Sequence, residues 1–361
     1  RYCKFLWQTR AINAKLSPLC NVGISQMNQK SPLPLVRLSL IQPMVQELDR
    51  RRLNTAGVLA ANGLVRQTVL DPNVFVPPIV IHRFLEAAAQ AANDPYLCAR
   101  VGESLDWASW PPLVDAVSRA GTLGEFLIRF ICAVKDEATS AHHALEVGPS
   151  FAFFRERRTS EQEIVPAQND AFTAAYVLGL LRRGAGESWK PEQILLTVAD
   201  PGALPEKYLG VHVFRGDRMG TTVRFPSAWL LEPFNRQAFA RSSSGNQGRL
   251  DVPTAFLEAL RHALLPHLSI ANLGVDFVAQ LIGTSQQSLQ RKLRAVGTTL
   301  SAEISELKKR RAIDELENSD RPITGIAASL GFSDPTSFTR AFRSWTGVSP
   351  REYRKNQANH R

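Results

Sequence analysis

The stretch "GFSDPTSFTRAFRSWTGVSP", from Gly331 to Pro350, sets basic and aromatic side chains between Gly, Pro and Ser corners. It overlaps a repeat, because "IAASLGFSDPTSFTRAF", residues 326–342, aligns with "VAQLIGTSQQSLQRKL", residues 278–293. The offset is 48 residues up to the turn and 49 after it, so the second copy has one extra residue at the start of its last helix. An internal repeat of this kind predicts two copies of one supersecondary unit.

Each copy has the residue pattern of a helix-turn-helix. A small residue lets two helices cross closely, and a Gly four residues later ends the first helix in a left-handed turn, which Gly adopts at low cost. A Ser then caps the second helix, whose apolar residues at i and i+4 would anchor it on a core. These residues are Ala279, Gly283, Ser285, Leu289 and Leu293 in the first copy and Ala327, Gly331, Ser333, Phe338 and Phe342 in the second.

The opposite face of each second helix is polar and basic, which suits the major groove of DNA. Gln can make paired hydrogen bonds to adenine and Arg to guanine, whereas Thr and further Arg residues suit phosphates. The first residues of each helix would reach base edges, and the distal arginines would neutralise phosphate charge. The candidate DNA-binding residues are Gln287, Gln290, Arg291, Arg294, Thr336, Thr339, Arg340 and Arg343.

A single basic amphipathic helix is more often a solvated face than a DNA reader, and two copies in register favour DNA binding. The segment between the copies, "SAEISELKKRRAIDELEN", residues 301–318, predicts a long charged helix that would hold the two readers about one turn of DNA apart. The aromatic residues Trp345 and Tyr353 are predicted to belong to the core rather than to stack on bases.

Length, charge and cysteine content limit the number of domains, the kinds of partner and the compartment that the chain can have. The 361 residues exceed what one hydrophobic core usually serves and predict about two domains. The net charge of +10 is uneven, because residues 254–361 carry +5 and residues 1–52 carry +7. Four separated cysteines argue against a disulfide framework and favour the reducing cytoplasm. The longest apolar runs are too short to span a bilayer, so no membrane association is expected.

Composition also divides the chain into segments. Residues 39–240 alternate helical with strand patterns and predict an α+β domain, and residues 241–253, "RSSSGNQGRLDVP", have linker composition. Residues 254–361 have helical periodicity only and predict an all-α DNA-binding domain with two helix-turn-helix motifs. Because the chain starts with Arg and Met27 precedes an ordinary polar opening, residues 1–38 are expected to be a leader that is in part not native.

Local signals place several elements of the first domain. A helix from about Ser39 is expected to stop at Gly57, and another is expected to be capped by Thr122. Residues 212–230, "HVFRGDRMGTTVRFPSAWL", predict a hairpin-like pair. Residues 151–158, "FAFFRERR", predict a strand with Phe151 and Phe153 inward, in preference to an aromatic and basic nucleic-acid patch.

Enzymatic and metal chemistry find little support in the motifs. The chain has neither a Gly-rich phosphate loop of the Walker type nor a Gly-x-Ser-x-Gly nucleophile elbow. His82 with Glu86 is a weak metal candidate, since a single His-Glu pair is far more often a surface pair than a ligand set. The adjacent His142 and His143 are weak candidates as well, since neighbouring residues of a helix do not share a face. No metal, cofactor or catalytic residue is expected.

The segment "GFSDPTSFTRAFRSWTGVSPREYR" resembles the signature of the AraC/XylS family of bacterial transcription regulators, and the repeat covers that family's whole DNA-binding domain. The resemblance implies a seven-helix module on double-stranded promoter DNA, and its base contacts would come from Gln287, Gln290, Arg291, Thr336 and Arg340. Two positions depart from the family pattern: relatives often have Arg in place of Gln287 and an apolar residue in place of Arg311.

The segments "GESWKPEQILLTVADPG" and "VRFPSAWLLEPF" resemble the arabinose-binding type of N-terminal domain in that family. This resemblance covers roughly residues 39–235 and implies a domain that binds a small-molecule effector, forms a homodimer, or does both. It also implies contact with RNA polymerase and favours activation over repression.

Two other functions compete with an effector-responsive regulator. One is a constitutive regulator whose N-terminal domain only dimerises. The other is a DNA-alkylation repair protein that carries the same DNA-binding module and a methyl-accepting cysteine. That chemistry needs an activated thiolate, and the surroundings of Cys20, Cys98 and Cys132 supply no basic or metal partners in the sequence.

Overall fold

The structure is a computed structural model that describes residues 33–105, 111–161, 163–234, 253, 255–271 and 273–358. The helices of the N-terminal part are α1 Gln42–Arg50, α2 Thr55–Ala61, α3 Arg66–Leu70, α4 Pro78–Ala91, α5 Leu97–Glu103, α6 Pro111–Arg119, α7 Leu123–Val134 and α8 Ala167–Ala185. The strands are β1 Val36–Arg37, β2 Phe75–Val76, β3 Ala141–Val147, β4 Phe151–Arg158, β5 Leu195–Val198, β6 His212–Arg215 and β7 Gly220–Pro226.

The described residues of the C-terminal part form helices and the turns that connect them, without a strand. Its helices are α9 Phe256–Leu264, α10 Val275–Leu281, α11 Gln286–Ala295, α12 Leu300–Asn318, α13 Ile323–Ser329, α14 Pro335–Thr346 and α15 Pro350–Ala358. The predicted fold class, α+β followed by an all-α unit with two helix-turn-helix motifs, is confirmed. Most of the predicted leader and linker lies outside the described residues, so the domain boundaries remain predictions.

The large sheet has the strand order β3-β4-β7-β5-β6. Strand β5 pairs antiparallel with β7 and parallel with β6. The predicted hairpin in residues 212–230 is therefore wrong, because β5 lies between the two strands that would form it. Helix α8 packs on β5 and β7 and buries the apolar face of the sheet.

The side chains of strand β4 that face inward are not the predicted ones but the alternate set. Phe151 is 39% exposed, and Phe153 is only partly buried. The inward, buried residues are Ala152, Phe154, Glu156 and Arg158. A shift of one residue moves every side chain to the other face. The outer rings are covered by cations, since the guanidinium carbons of Arg224 and Arg155 lie 4.4 and 4.8 Å from the ring centroids of Phe151 and Phe153.

The first helix ends earlier than predicted. Helix α1 stops at Arg50, and Arg52 adopts a positive φ of 57°. The side chain of Asn54 then caps α2 by accepting a hydrogen bond from the Gly57 N–H at 3.0 Å. Gly57 therefore lies inside α2 rather than at the end of α1, because a stronger capping residue three positions earlier starts a new helix.

The predicted cap of α7 is confirmed. Thr122 Oγ1 accepts a hydrogen bond from the Glu125 N–H at 3.2 Å, and the Glu125 side chain accepts one from the Gly121 N–H at 2.9 Å. Helix α8 ends at Gly186, which has a φ of 53°.

One hydrophobic core joins the N-terminal helices to the first half of the DNA-binding unit. It contains Phe84 of α4 and Phe75 of β2 together with Leu260 of α9 and Leu289 of α11. A separate core holds α12, α13 and α14 together around Phe338 and further apolar residues. The first helix-turn-helix is thus packed against the N-terminal part, whereas the second has a core of its own.

Acidification is expected to weaken the contact between the two halves through His267. This side chain is 3% exposed, and neither ring nitrogen has a hydrogen-bond partner among the described residues. Its ring lies against Phe277, with centroids 5.6 Å apart, and packs on Gly63 of the N-terminal half. Burial lowers the pKa of His267 from 6.5 to about 4. The unfolded chain therefore binds a proton first, and stability that is complete above about pH 6.5 is lost as the pH falls towards 4.

Between pH 7 and pH 5 this effect is expected to cost about 2 kcal/mol of unfolding free energy. Urea unfolding at the two pH values measures it, and His267→Leu is expected to remove that part of the loss. The same substitution at His212, which is exposed on β6, serves as the control. An undiminished loss in the His267 variant would contradict the assignment.

Candidate nucleic-acid interface

The first helix-turn-helix consists of α10 and α11. Gly283 lies in the turn just after α10 and has a φ of 64°. Ser285 Oγ accepts a hydrogen bond from the Ser288 N–H at 3.2 Å. Ala279 is 3% exposed where the helices cross, and Leu289 and Leu293 are buried. These five predicted roles are confirmed.

The second helix-turn-helix consists of α13 and α14, and its cap differs from the predicted one. Asp334, not Ser333, caps α14: its Oδ1 accepts a hydrogen bond from the Ser337 N–H at 2.8 Å. Pro335 follows at the first helical position, where its missing N–H costs nothing. The extra residue of the second copy thus lies in the turn, between Gly331 and the cap, and it moves the cap by one position.

The predicted DNA-binding residues lie on the free faces of α11 and α14. Every one of them is exposed except Thr339, which is partly exposed and whose hydroxyl donates to the Pro335 carbonyl at 2.8 Å. The set is Gln287, Gln290, Arg291 and Arg294 on α11 and Thr336, Thr339, Arg340 and Arg343 on α14. The helices bring each group of four together at one surface, and their apolar anchors face the other way.

Two residues outside the predicted set, Ser337 and Asp334, position Arg340. Arg340 Nη2 donates to Ser337 Oγ at 3.4 Å, and Ser337 Oγ donates to Asp334 Oδ2 at 2.6 Å. The hydrogen bonds from Ser337 lower the pKa of the Asp334 carboxyl, with a smaller contribution from the charge of Arg340. The signal for this arrangement was present as Asp-Pro at the start of a helix, three residues before a Ser.

Helix α12, which lies between the two motifs, holds the second helix-turn-helix in place. Trp345 Nε1 donates to Ser305 Oγ at 2.9 Å, and the Tyr353 hydroxyl donates to Glu317 Oε1 at 2.7 Å. Both aromatic rings pack on the core of the second unit, as predicted. Arg311, which departs from the family pattern, is exposed on α12 and pairs with Glu315 at 3.2 Å.

The two adjacent histidines do not share a face in the structure. His142 and His143 lie on strand β3 and point to opposite faces of the sheet. In the described part of the chain, no three His, Cys, Asp or Glu side chains are arranged to hold a metal ion. Within the same residues, no helix is long and apolar enough to cross a bilayer.

Comparisons with known protein families match both parts of the chain. Residues 53–234, half of its length, match the family described as the arabinose-binding domain of AraC transcription regulator, N-terminal. Residues 278–356 match a helix-turn-helix domain family. The second match begins within α10 and includes both helix-turn-helix motifs.

Individual proteins are similar to parts of the chain. The chain is 38% identical over 130 residues to the ornithine utilization regulator of Pseudomonas aeruginosa, which covers 35% of this chain and 37% of that protein. It is 37% identical over 83 residues to the regulatory protein SoxS of Escherichia coli, with 23% of this chain and 78% of that protein covered. The transcriptional regulator CdpR of Pseudomonas aeruginosa is a structural neighbour with a TM-score of 0.39 and 19% identity, over 88% of this chain and 98% of that one. The chain thus aligns with little more than a third of the first of these relatives.

Proposed function

The chain belongs to the AraC family of transcription regulators, and from this premise we propose that it activates transcription at specific promoters as an effector-responsive homodimer. In this proposal each subunit reads two successive major-groove segments, α11 in the first and α14 in the second. The protein acts in the cytoplasm, contacts RNA polymerase, and binds a small-molecule effector through residues 39–240.

The observation that carries the proposal is the pair of free recognition faces. Each face has residues suited to base edges near the start of the helix, and arginines near its end that suit phosphates. The 19 residues of α12 connect the two faces and correspond to about 28 Å of helix. This length is comparable to one turn of DNA, about 34 Å.

A genome-wide selection of DNA fragments bound by the purified protein at fixed physiological salt tests this proposal. Footprinting of the best fragment is expected to protect two blocks about one helical turn apart for each subunit. One block for each subunit would mean that only one helix-turn-helix reads bases, and no enrichment over random DNA, with or without effector, would refute specific recognition.

Arg340→Ala is expected to weaken binding to the selected site by about 1–3 kcal/mol and to relax discrimination at one base pair. The reason is that Arg340 lies exposed in the second turn of α14, held by Ser337, where a guanidinium can reach a guanine edge. Binding of the selected site and of single-base variants, measured by fluorescence anisotropy, gives both quantities.

The matched control is Arg343→Ala, three residues further along α14. It is expected to weaken all sequences alike and to reduce the salt slope by about 1, since this residue is assigned to a phosphate. Equal losses of affinity for specific and random DNA in Arg340→Ala would contradict the assignment of Arg340 to a base.

The two competing functions differ in the N-terminal part. A constitutive regulator would not need a ligand cavity, whereas the described residues line a partly open one of about 110 Å³ between the helices and the sheet. Alkylation repair would need a reactive thiolate, but burial raises the pKa of the Cys98 thiol well above its usual range. The relatives are regulators rather than enzymes, and the cavity favours effector binding.

A further inference from the structure

The cavity of about 110 Å³ lies where α1, α4 and α8 meet the inner face of strands β3 and β4. Its wall towards α1 and α4 is mainly apolar, with Met44, Ile81 and Leu85 beside the buried His82. Its wall towards the sheet is polar and includes His143, Glu156 and Arg158. A ligand of this cavity therefore needs a hydrocarbon part and one polar end.

Most charges around the cavity are already paired. Arg37 Nε donates to Glu137 Oε2 at 3.1 Å, with both side chains almost completely buried. Arg158 is paired in the same way with Asp170, which also accepts a hydrogen bond from the Ala199 N–H at 2.8 Å. Each of these guanidinium groups has a carboxylate of its own, so neither pair leaves a net charge for a ligand.

Glu156 differs because its nearest partners, Thr173 and His143, carry no permanent positive charge, and the nearby guanidinium of Arg158 is paired with Asp170. Its residue is 8% exposed, Thr173 Oγ1 donates to its Oε2 at 2.9 Å, and His143 Nε2 lies 3.6 Å from the same oxygen. Burial alone would raise the pKa of Glu156, but His143, Arg158 and Thr173 together outweigh burial and lower it to about 2. The cavity wall therefore holds an ionised carboxylate beside an apolar space.

The neighbouring aromatic rings suit the same kind of ligand. Phe172 and Tyr176 line the cavity next to Glu156, with ring centroids 5.8 Å apart. Aromatic faces attract organic cations, and a carboxylate in a partly desolvated wall does so more strongly. An anionic ligand would instead meet the carboxylate of Glu156.

We infer that this cavity binds a small organic amine, with its ammonium group on Glu156 and its hydrocarbon part among the apolar side chains of α1 and α4. The volume of about 110 Å³ suits about four heavy atoms, since an apolar cavity of about 150 Å³ holds the six of benzene, and the end of a longer chain would lie in the open mouth of the cavity. The assignment of this amine as the effector rests on the proposed function, whereas its binding can be measured without DNA.

The cavity wall is also in contact with the DNA-binding half. Glu137 holds Arg37, the guanidinium carbon of Arg37 lies 4.5 Å from the centroid of the Phe75 ring, and that ring meets His262 of α9 edge to face at 5.4 Å. A ligand that shifts Glu137 would act on α9 through two buried side chains. This chain of contacts gives the bound amine a physical route to the first helix-turn-helix.

Three probes with the same pentyl chain test the inference on the full-length protein: n-pentylamine, 1-pentanol and pentanoate. Isothermal titration calorimetry is expected to show the amine binding at least about tenfold more tightly than the alcohol, with no measurable binding of pentanoate. Glu156→Gln is expected to remove this preference for the amine and to leave the weak binding of the alcohol.

The control variant is Glu146→Gln, since Glu146 pairs with Arg155 on the outer face of the same sheet and should not affect any probe. Ala141→Leu fills the cavity without altering its polar groups and is expected to abolish binding of all probes. Tighter binding of pentanoate would overturn the inference and assign selection to the buried Nε of Arg158, which has no partner among the described residues. Absence of amine binding at millimolar concentration, or undiminished amine binding by Glu156→Gln, would overturn it as well.

A last measurement separates this inference from the proposed function. Binding of the selected promoter fragment is compared with and without n-pentylamine at saturating concentration. Amine binding that leaves DNA binding and transcription in vitro unchanged would support the cavity assignment and refute the effector role. Specific DNA binding by a protein that binds none of the probes would refute the cavity assignment and would agree with the proposed recognition of specific promoters.

Discussion

Gly331→Ala is expected to destabilise the second helix-turn-helix by about 3 kcal/mol and to abolish its protection of DNA. Gly331 has a φ of 72°, in the left-handed region that residues with a Cβ avoid. A Cβ there would also lie 2.8–2.9 Å from the carbonyl oxygens of Leu268, Ser269 and Ile270. Because these are backbone atoms, the clash can be relieved only by moving the turn away from the segment that follows α9.

Gly283→Ala is the matched control, since Gly283 occupies the same position in the first copy, with a φ of 64° and no atom within 4 Å of an added Cβ. It carries only the backbone strain and is expected to cost about 1 kcal/mol. Hydrogen exchange of the amides in α14 and α11 measures the two effects separately. Footprinting should show the block read by α14 lost in Gly331→Ala and both blocks kept in Gly283→Ala. Equal exchange rates in the two variants would contradict the packing at Gly331.

Asp170→Ala is expected to lower the unfolding free energy by roughly 3–5 kcal/mol, the largest effect of any exchange of a charged residue proposed for this chain. The Asp170 side chain is completely buried, and that of Arg158 is 3% exposed. The substitution leaves this guanidinium buried without its carboxylate and removes the acceptor of the Ala199 N–H. Urea unfolding followed by circular dichroism measures the loss.

Glu163→Ala provides the comparison at the surface. Glu163 pairs with Arg83 at 3.5 Å, and both side chains are about half exposed. Solvent screens such a pair, so the expected loss is about 0–1 kcal/mol. If the two variants lost similar amounts of stability, the ion pair of Asp170 would not be buried in solution.

Local features of the DNA-binding half could be predicted from the sequence in detail. Gly283, Gly331 and Ser285 act within their own turns, and the apolar anchors Leu289 and Phe338 follow from helical spacing alone. The one local error was the cap of α14, where Asp334 competes with Ser333. Both residues can cap a helix, and only the geometry of a turn with one extra residue decides between them.

The α+β half shows where such prediction stops. Residues 151–158 alternate charged and aromatic side chains on both faces, so periodicity alone could not tell which set lies inside. Burial of Glu156 and Arg158 depends on Thr173 and Asp170, which come from a helix later in the chain. The cavity and its carboxylate could therefore not be found from the strand that carries them.

The two helix-turn-helix motifs, their polar faces and the division into an α+β part and an all-α part follow from the order of residues alone. These features depend on hydrogen bonds and side-chain contacts within a few residues of the chain, which the spacing of residue types records. Three features emerge only from the folded chain: β5 lies between β6 and β7, Glu156 faces a cavity, and α9–α11 share a core with the N-terminal helices. Those outcomes depend on contacts between distant segments, whose free energy comes from buried area and paired charges that no local pattern encodes.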